Sequence, residues 1–152
     1  MRHHNIRKAH LVIREANKFD LPKLVELIKQ FAIEYDNVLT SQPINWSKTH
    51  AEAVISHILA GLGFVLIDEE NNGILVACKL PSFWIPNMYQ LHEVLLRADN
   101  KITTIKLIKE YIKRAQEMID KGEIANAIIA AHPSVDYEKL GLRQLEVNWE
   151  IR

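Results

Sequence analysis

Across Tyr89-Gln90-Leu91-His92-Glu93-Val94-Leu95-Leu96-Arg97-Ala98-Asp99-Asn100-Lys101-Ile102-Thr103-Thr104-Ile105 the hydrophobic period changes. It passes from about 2, the repeat of a strand, to about 3.6, the repeat of a helix. Tyr89 to Arg97 therefore predicts a strand. A long helix is expected from Thr103 to Lys121, with Ile105, Ile108, Ile112, Ala115 and Ile119 facing inward. Lys106, Lys109, Lys113 and Arg114 face outward, and Gly122 caps the end. Ala125 to Ala131 follows as a continuous apolar run, read as a strand buried on both faces. Two strands joined through a helix need a crossover, so they are expected to be parallel.

Working upstream, Phe64 to Asp68 and Gly73 to Leu80 are apolar and partly β-branched, with the turn signal Glu70-Asn71-Asn72-Gly73 between them. They predict an antiparallel hairpin. Pro81 and Pro86 bracket an irregular segment that carries Phe83 and Trp84. Before the hairpin, Ser47 to Leu59 reads as a helix with Val54, Ile55, Ile58 and Leu59 as its buried stripe, stopped by Gly61 and Gly63. A polar loop, Thr40 to Asn45, separates it from a helix over Leu21 to Tyr35. There Leu24, Leu27, Ile28, Phe31 and Tyr35 share one face, Asp20 is the expected N-cap, and Pro22 suits the first turn. His10 to Glu15 reads as the first strand. Downstream, Asp136 to Leu140 predicts a short helical turn ended by Gly141, and Gln144 to Arg152 a last strand. The order β-α-α-β-β-β-α-β-α-β describes an α/β (α+β) chain, one domain over residues 1–152, with a mixed, mostly antiparallel sheet flanked by helices.

Composition narrows the function classes. The chain has 152 residues, 48% of them hydrophobic, and 19 basic against 19 acidic side chains, so no overall field draws in nucleic acid or a membrane surface. The Lys106, Lys109, Lys113 and Arg114 row is the solvated face of an amphipathic helix rather than a nucleic-acid surface. No apolar run approaches the roughly 18 residues of a membrane span, and Met1-Arg2-His3-His4-Asn5 is not followed by the apolar core of a secretory signal. A cytoplasmic location is expected. Cys78 is the only cysteine and sits in an apolar run, as a small buried hydrophobe. No metal is expected: His50 and His57 are two helical turns apart, more than about 10 Å along the axis.

The order of elements resembles the GNAT (Gcn5-related N-acetyltransferase) superfamily over essentially the whole chain, and three segments carry the resemblance locally. Tyr137-Glu138-Lys139-Leu140-Gly141-Leu142-Arg143 is similar to the family's "YEKLGF" segment. The resemblance implies that Tyr137 protonates the departing thiolate of coenzyme A; a packed aromatic tying helix to sheet is the other reading. In Leu91-His92-Glu93-Val94-Leu95-Leu96, Glu93 resembles the glutamate that serves as general base on the amine, directly or through water. A salt bridge to a neighbouring helix would equally explain a carboxylate there. Alternation puts Leu91, Glu93 and Leu95 on one face and His92, Val94 and Leu96 on the other, unless the strand is bulged.

The third segment is the turn into the long helix. The family's pyrophosphate loop reads Gln/Arg-x-x-Gly-x-Gly/Ala, whereas Arg97 to Ile105 holds no glycine. A basic residue with a Thr-Thr pair in this place is similar to phage-type members. The resemblance implies acetyl-CoA as co-substrate. Val94, Leu95 and Leu96 would pair with the pantetheine arm, Arg97 and Lys101 would neutralise phosphate, and Ile102, Thr103, Thr104 and Ile105 would present the helix start. Thr103 and Thr104 as simple helix caps is the alternative. His132, at the end of a strand, and Phe83 with Trp84, either lining an acceptor pocket or packing on the first two helices, are further candidates. The acceptor implied is an amine on a small molecule, or a protein lysine or N-terminus, and such domains pair as homodimers. The rival reading is a GNAT-fold protein that has lost catalysis and acts through a macromolecular partner.

Overall fold

The structure, a computed structural model, describes residues 13–36, 46–130, 135–146 and 151. Strands β1 (Arg14–Glu15), β2 (Gly63–Asp68), β3 (Gly73–Pro81) and β4 (Tyr89–Arg97) pair antiparallel in succession, and β5 (Asn126–Ile128) adds parallel to β4. Helices α1 (Leu21–Asp36) and α2 (Lys48–His57) cover one face, and α3 (Lys101–Asp120) crosses the other between β4 and β5. The mixed sheet flanked by helices is the architecture expected from the order of elements.

Alternation along the central strands divides the core in two. Val65, Ile67, Ile74 and Val76 meet Leu24 and Leu27 of α1 and Ile55 of α2. Leu66, Leu75, Ala77 and Leu91 meet Leu107, Tyr111 and Ala115 of α3. Side chains on both faces of β2 and β3 leave water, so this hairpin anchors the fold. In its turn Asn72 takes the left-handed conformation, at φ 47°. Gly73 serves packing instead: a Cβ there would lie 2.9 Å from Thr103 Cγ2 and 3.2 Å from Leu107 Cδ1. Its bare α-carbon lets α3 close on the sheet.

Several expected elements differ in detail, each for a local reason. Of the first strand only Arg14–Glu15 pairs, residues before 13 lying outside the described ones. Asp20 does not cap α1. Asn17 caps a 3-10 turn, Lys18–Asp20, that runs into α1, while the Asp20 carboxylate receives both Arg14 guanidinium nitrogens at 2.8 and 2.7 Å. Ser47 caps α2, and Val54 is exposed rather than part of its buried stripe. Helix α3 starts at Lys101 rather than Thr103 because the Asn100 side chain takes the Thr103 amide at 2.8 Å. Its buried stripe is Thr104, Leu107, Ile108, Tyr111 and Ala115, with Ile105 and Ile112 only half-buried. β5 is short and half-buried, not buried on both faces, since the sheet ends with it among the described residues. Glu138–Leu140 is a single 3-10 turn closed by Gly141 at φ 80°. Gln144 to Glu146 form no strand, and most of the expected last strand lies outside the described residues.

Candidate active site

Strand β4 carries one residue more than β3 requires. Ala77 lies opposite Glu93 and Val76 opposite Leu95, so Val94 is a bulge without a cross-strand partner on β3. An extra residue reverses the parity beyond it. Leu91 and Glu93 face α3, as alternation predicts, but Leu95 packs into the α1/α2 core and Leu96 into the α3 core. The expected grouping of Leu95 with Leu91 and Glu93, and of Leu96 with His92, is corrected by this bulge.

On its other edge β4 parts from β5. The parallel pairing covers Gln90 to His92 against Asn126 to Ile128, while β4 itself continues to Arg97. Among the described residues a fork opens from Glu93 onward. Its vertex is held by side chains: the Tyr111 hydroxyl donates to Ile128 O at 2.7 Å and approaches Leu91 O at 3.4 Å. Just past it, Glu93 Oε2 accepts the Ala130 N–H at 3.1 Å, and the Tyr137 hydroxyl donates to Ala130 O at 3.3 Å. Glu93 is 9% exposed. Burial pushes its pKa up to about 7, against the opposing pull of the Ala130 amide. Burial, and secondarily the Glu93 charge, also raises the Tyr111 phenol, which stays protonated and able to donate.

Toward α1 and α2 the bulge borders a cleft of about 400 Å³, lined by Val76, Cys78, Val94 and Leu95 of the sheet, Ala32 of α1 and His50 of α2 among others. Among the described residues no carboxylate lines it. Cys78 is half-buried there, and desolvation raises its pKa, which disfavours the thiolate. The cleft and the Glu93 carboxylate thus lie toward opposite faces of the sheet.

The turn into α3 is largely occupied by its own side chains. Besides its bond to Thr103 N, Asn100 reaches Asn71, and its carbonyl accepts from the Thr104 hydroxyl at 3.1 Å. Thr103 is buried, and its hydroxyl has no hydrogen-bond partner among the described residues. Neither threonine is a cap. Arg97 bonds Glu34 of α1 at 2.9 Å, Asp99 at 2.8 Å and the Asn72 carbonyl at 3.0 Å. Lys101 and Ile102 are exposed, and their amides lie in the first turn, outside the helix's own ladder.

Other candidates fall elsewhere. Phe83 and Trp84 are 96% and 84% exposed, so they neither pack on the helices nor line the cleft. His92 sits half-buried opposite Cys78. His132 lies outside the described residues. Among the described residues no group of side chains is arranged to hold a metal ion, and no helix is long and apolar enough to cross a membrane. Sequence reasoning passed over Asn100 and Tyr111. Asn three residues before Thr103 is a cap signal, and Tyr111 falls at helical spacing between Leu107 and Ala115.

No family model and no curated protein matches the chain by sequence. Its fold is shared with solved proteins. A Clostridium acetobutylicum protein assigned as an acetyltransferase and crystallised with acetyl-CoA superposes with a TM-score of 0.66 at 16% identity, covering 93% of this chain and 95% of that one. An Arthrobacter protein with the same assignment gives 0.65 at 20%, covering 92% and 90%. A transcriptional regulator of Bacillus halodurans gives 0.63 at 18%, covering 94% and 99%. The fold of this chain is the GNAT fold, shared with those proteins.

Proposed function

We propose that this protein is an N-acetyltransferase that moves the acetyl group of acetyl-CoA to an amine by direct attack, in the cytoplasm. The observation that carries the reading is the fork: β4 runs on past the Val94 bulge with an edge that β5 does not cover, beside an apolar cleft. An uncovered strand edge offers alternating N–H and C=O groups, which suit the amides of a pantetheine arm. The cleft takes the acceptor, either a small amine or the lysine or N-terminus of a protein.

Direct attack needs a neutral amine, a polarised thioester and a proton for the leaving sulfur. The amine nitrogen bonds to the acetyl carbon, the carbon–sulfur bond breaks, and the proton lost by the amine passes through water to Glu93. A pKa of about 7 suits that task. The Val94 or Leu95 amide polarises the carbonyl. Tyr137 returns a proton to sulfur and is reprotonated from solvent. Cys78 takes no covalent part.

For the diphosphate, the fit is narrower than a glycine loop would give. The Lys101 ammonium and the Lys101 and Ile102 amides remain to bind it, while the Thr103 amide belongs to Asn100 and Arg97 is committed to two carboxylates. The test is thermal stability with acetyl-CoA. A ligand at 100 times its Kd adds about 2.7 kcal/mol, and mass spectrometry of an amine panel then reveals the acetylated product. No shift and no product would leave the rival reading, a GNAT-fold binding protein acting through a macromolecular partner.

A further inference from the structure

The parting of β4 and β5 is held by three side chains from three elements, taken in order along β5 and the two residues that follow it. Tyr111 of α3 binds at Ile128, Glu93 of β4 at the Ala130 amide, and Tyr137 at the Ala130 carbonyl. We infer that Tyr111 is the positioning residue that fixes where the two strands separate, and so sets the place and width of the acyl-CoA fork. The identity of the ligand rests on the transferase reading above; the geometry does not.

Two strands that part without a fixed vertex can zip further or fray, because each added rung changes the ladder by one bond. The Ile128 carbonyl sits at the last rung, opposite His92, and is already bonded to a phenol. The Glu93 amide reaches the same hydroxyl, so the phenol gathers both strands at this rung. The same hydroxyl lies 3.4 Å from Leu91 O, so one atom spans both strands on the closed side of the vertex. Tyr111 is 2% exposed, and Phe64 braces its ring at a centroid distance of 6.3 Å. Phenylalanine would fill the same volume; only the hydroxyl explains tyrosine here. Tyr111 touches no position assigned to substrate, so it acts through the strands.

The test is Tyr111→Phe in the full chain, read by amide hydrogen exchange and by kinetics. Losing one buried hydrogen bond at the vertex should speed exchange at Asn126 to Ala130 by about tenfold, with the β2–β3 hairpin amides unchanged as the control for folding. The KM for acetyl-CoA should rise by about tenfold while kcat stays within about twofold, the pattern of lost positioning rather than lost chemistry. Unchanged exchange at β5, or an increase shared equally by β2 and β3, overturns the inference whatever the kinetics. If the wild-type protein binds no acetyl-CoA by calorimetry, the transferase reading falls, and the exchange pattern alone decides whether Tyr111 sets the vertex.

Discussion

Glu93 and Tyr137 grip one residue from its two sides: the Glu93 carboxylate accepts the Ala130 N–H at 3.1 Å, and the Tyr137 phenol donates to the Ala130 carbonyl at 3.3 Å. One residue just past β5 therefore ties together the groups proposed as base and acid, although they stand far apart in sequence. A phenol is a weaker acid than a thiol, so it gives its proton uphill to the departing thiolate. The acid's effect should then fall at the low end for such catalysis. Tyr137→Phe is expected to lower kcat by about a hundredfold, with the melting temperature little changed because Phe keeps the packing of this half-buried ring. Retention of full kcat would reassign Tyr137 to packing.

Glu93 should make stability fall as pH rises. Its pKa goes from 4.5 to about 7 on folding, so the folded chain binds more protons than the unfolded one as pH passes upward from 4.5. The stability conferred by the protonated carboxyl is complete below 4.5 and is lost progressively up to about 7. The full loss is roughly 3 kcal/mol. Glu93→Gln keeps an acceptor for Ala130 and removes the charge. Melting curves should show the variant more stable than wild type at pH 8 and equal to it near pH 4. In kinetics, wild-type kcat should rise with an apparent pKa near 7, and that rise should vanish in the variant. Parallel melting profiles would show that the carboxyl is not buried as described.

Much of the fold was legible because its signals are local. The β2–β3 hairpin announces itself through apolar runs around Asn72-Gly73, and β4 spans Tyr89–Arg97 as its alternation predicts. The bulge at Val94 has no such mark. A β-branched residue in a strand looks the same whether paired or extra, so the parity of Leu95 and Leu96 could not be read. Thr103 and Thr104 drew attention as hydroxyls at a helix start, yet Asn100 accepts the critical amide and both threonines turn inward. Ala125 to Ala131 is apolar enough for a central strand, but its place in the sheet depends on what pairs beyond it, which no local pattern encodes. The raised pKa of Glu93 was legible from a carboxylate in an apolar run; Tyr111, which braces the same fork, was not, because an aromatic at helical spacing reads as core.

Two glycines separate backbone clash from side-chain crowding. A Cβ on Gly63 would lie 1.9 Å from the Ala77 carbonyl oxygen, a backbone atom of the paired strand that cannot move without breaking the ladder. A Cβ on Gly73 meets the Thr103 methyl and a Leu107 methyl, which can shift by tenths of an ångström. Gly73→Ala is expected to cost about 1–3 kcal/mol, the range for an overpacked core. Gly63→Ala should cost more. Urea denaturation gives the ranking, and equal losses would contradict the register at the start of β2.

Arg97 and Lys101 should respond in opposite ways to truncation. Arg97 is 12% exposed in its side chain and bonds two carboxylates and a backbone carbonyl, tying β4 to α1 and to the β2–β3 turn. Arg97→Ala should therefore lower stability by about 1–3 kcal/mol, as expected for losing charge-assisted bonds. Its effect on the KM for acetyl-CoA should be small. Lys101→Ala removes an exposed ammonium at the α3 N-terminus, leaving stability within about 0.5 kcal/mol, yet should raise that KM several-fold, more at low salt than at high. A large KM effect from Arg97→Ala with normal stability would return the phosphate role to Arg97.

Deleting Val94 tests the fork itself. With the bulge removed, Glu93 remains opposite Ala77 and Leu95 opposite Val76, in the alternation of a regular strand. Neither core loses a side chain, because Glu93 already faces α3 and Leu95 already faces α1 and α2. The shortened chain is expected to fold and to melt cooperatively near the wild-type temperature. What should disappear is the bend that turns the β4 edge away from β5, and with it acetyl-CoA binding measured by calorimetry. If the deletion variant binds acetyl-CoA as tightly as wild type, the ligand does not lie along β4. A variant that fails to fold would show instead that the bulge is needed to seat β4 between the two cores, a result visible in its circular dichroism before any ligand is added.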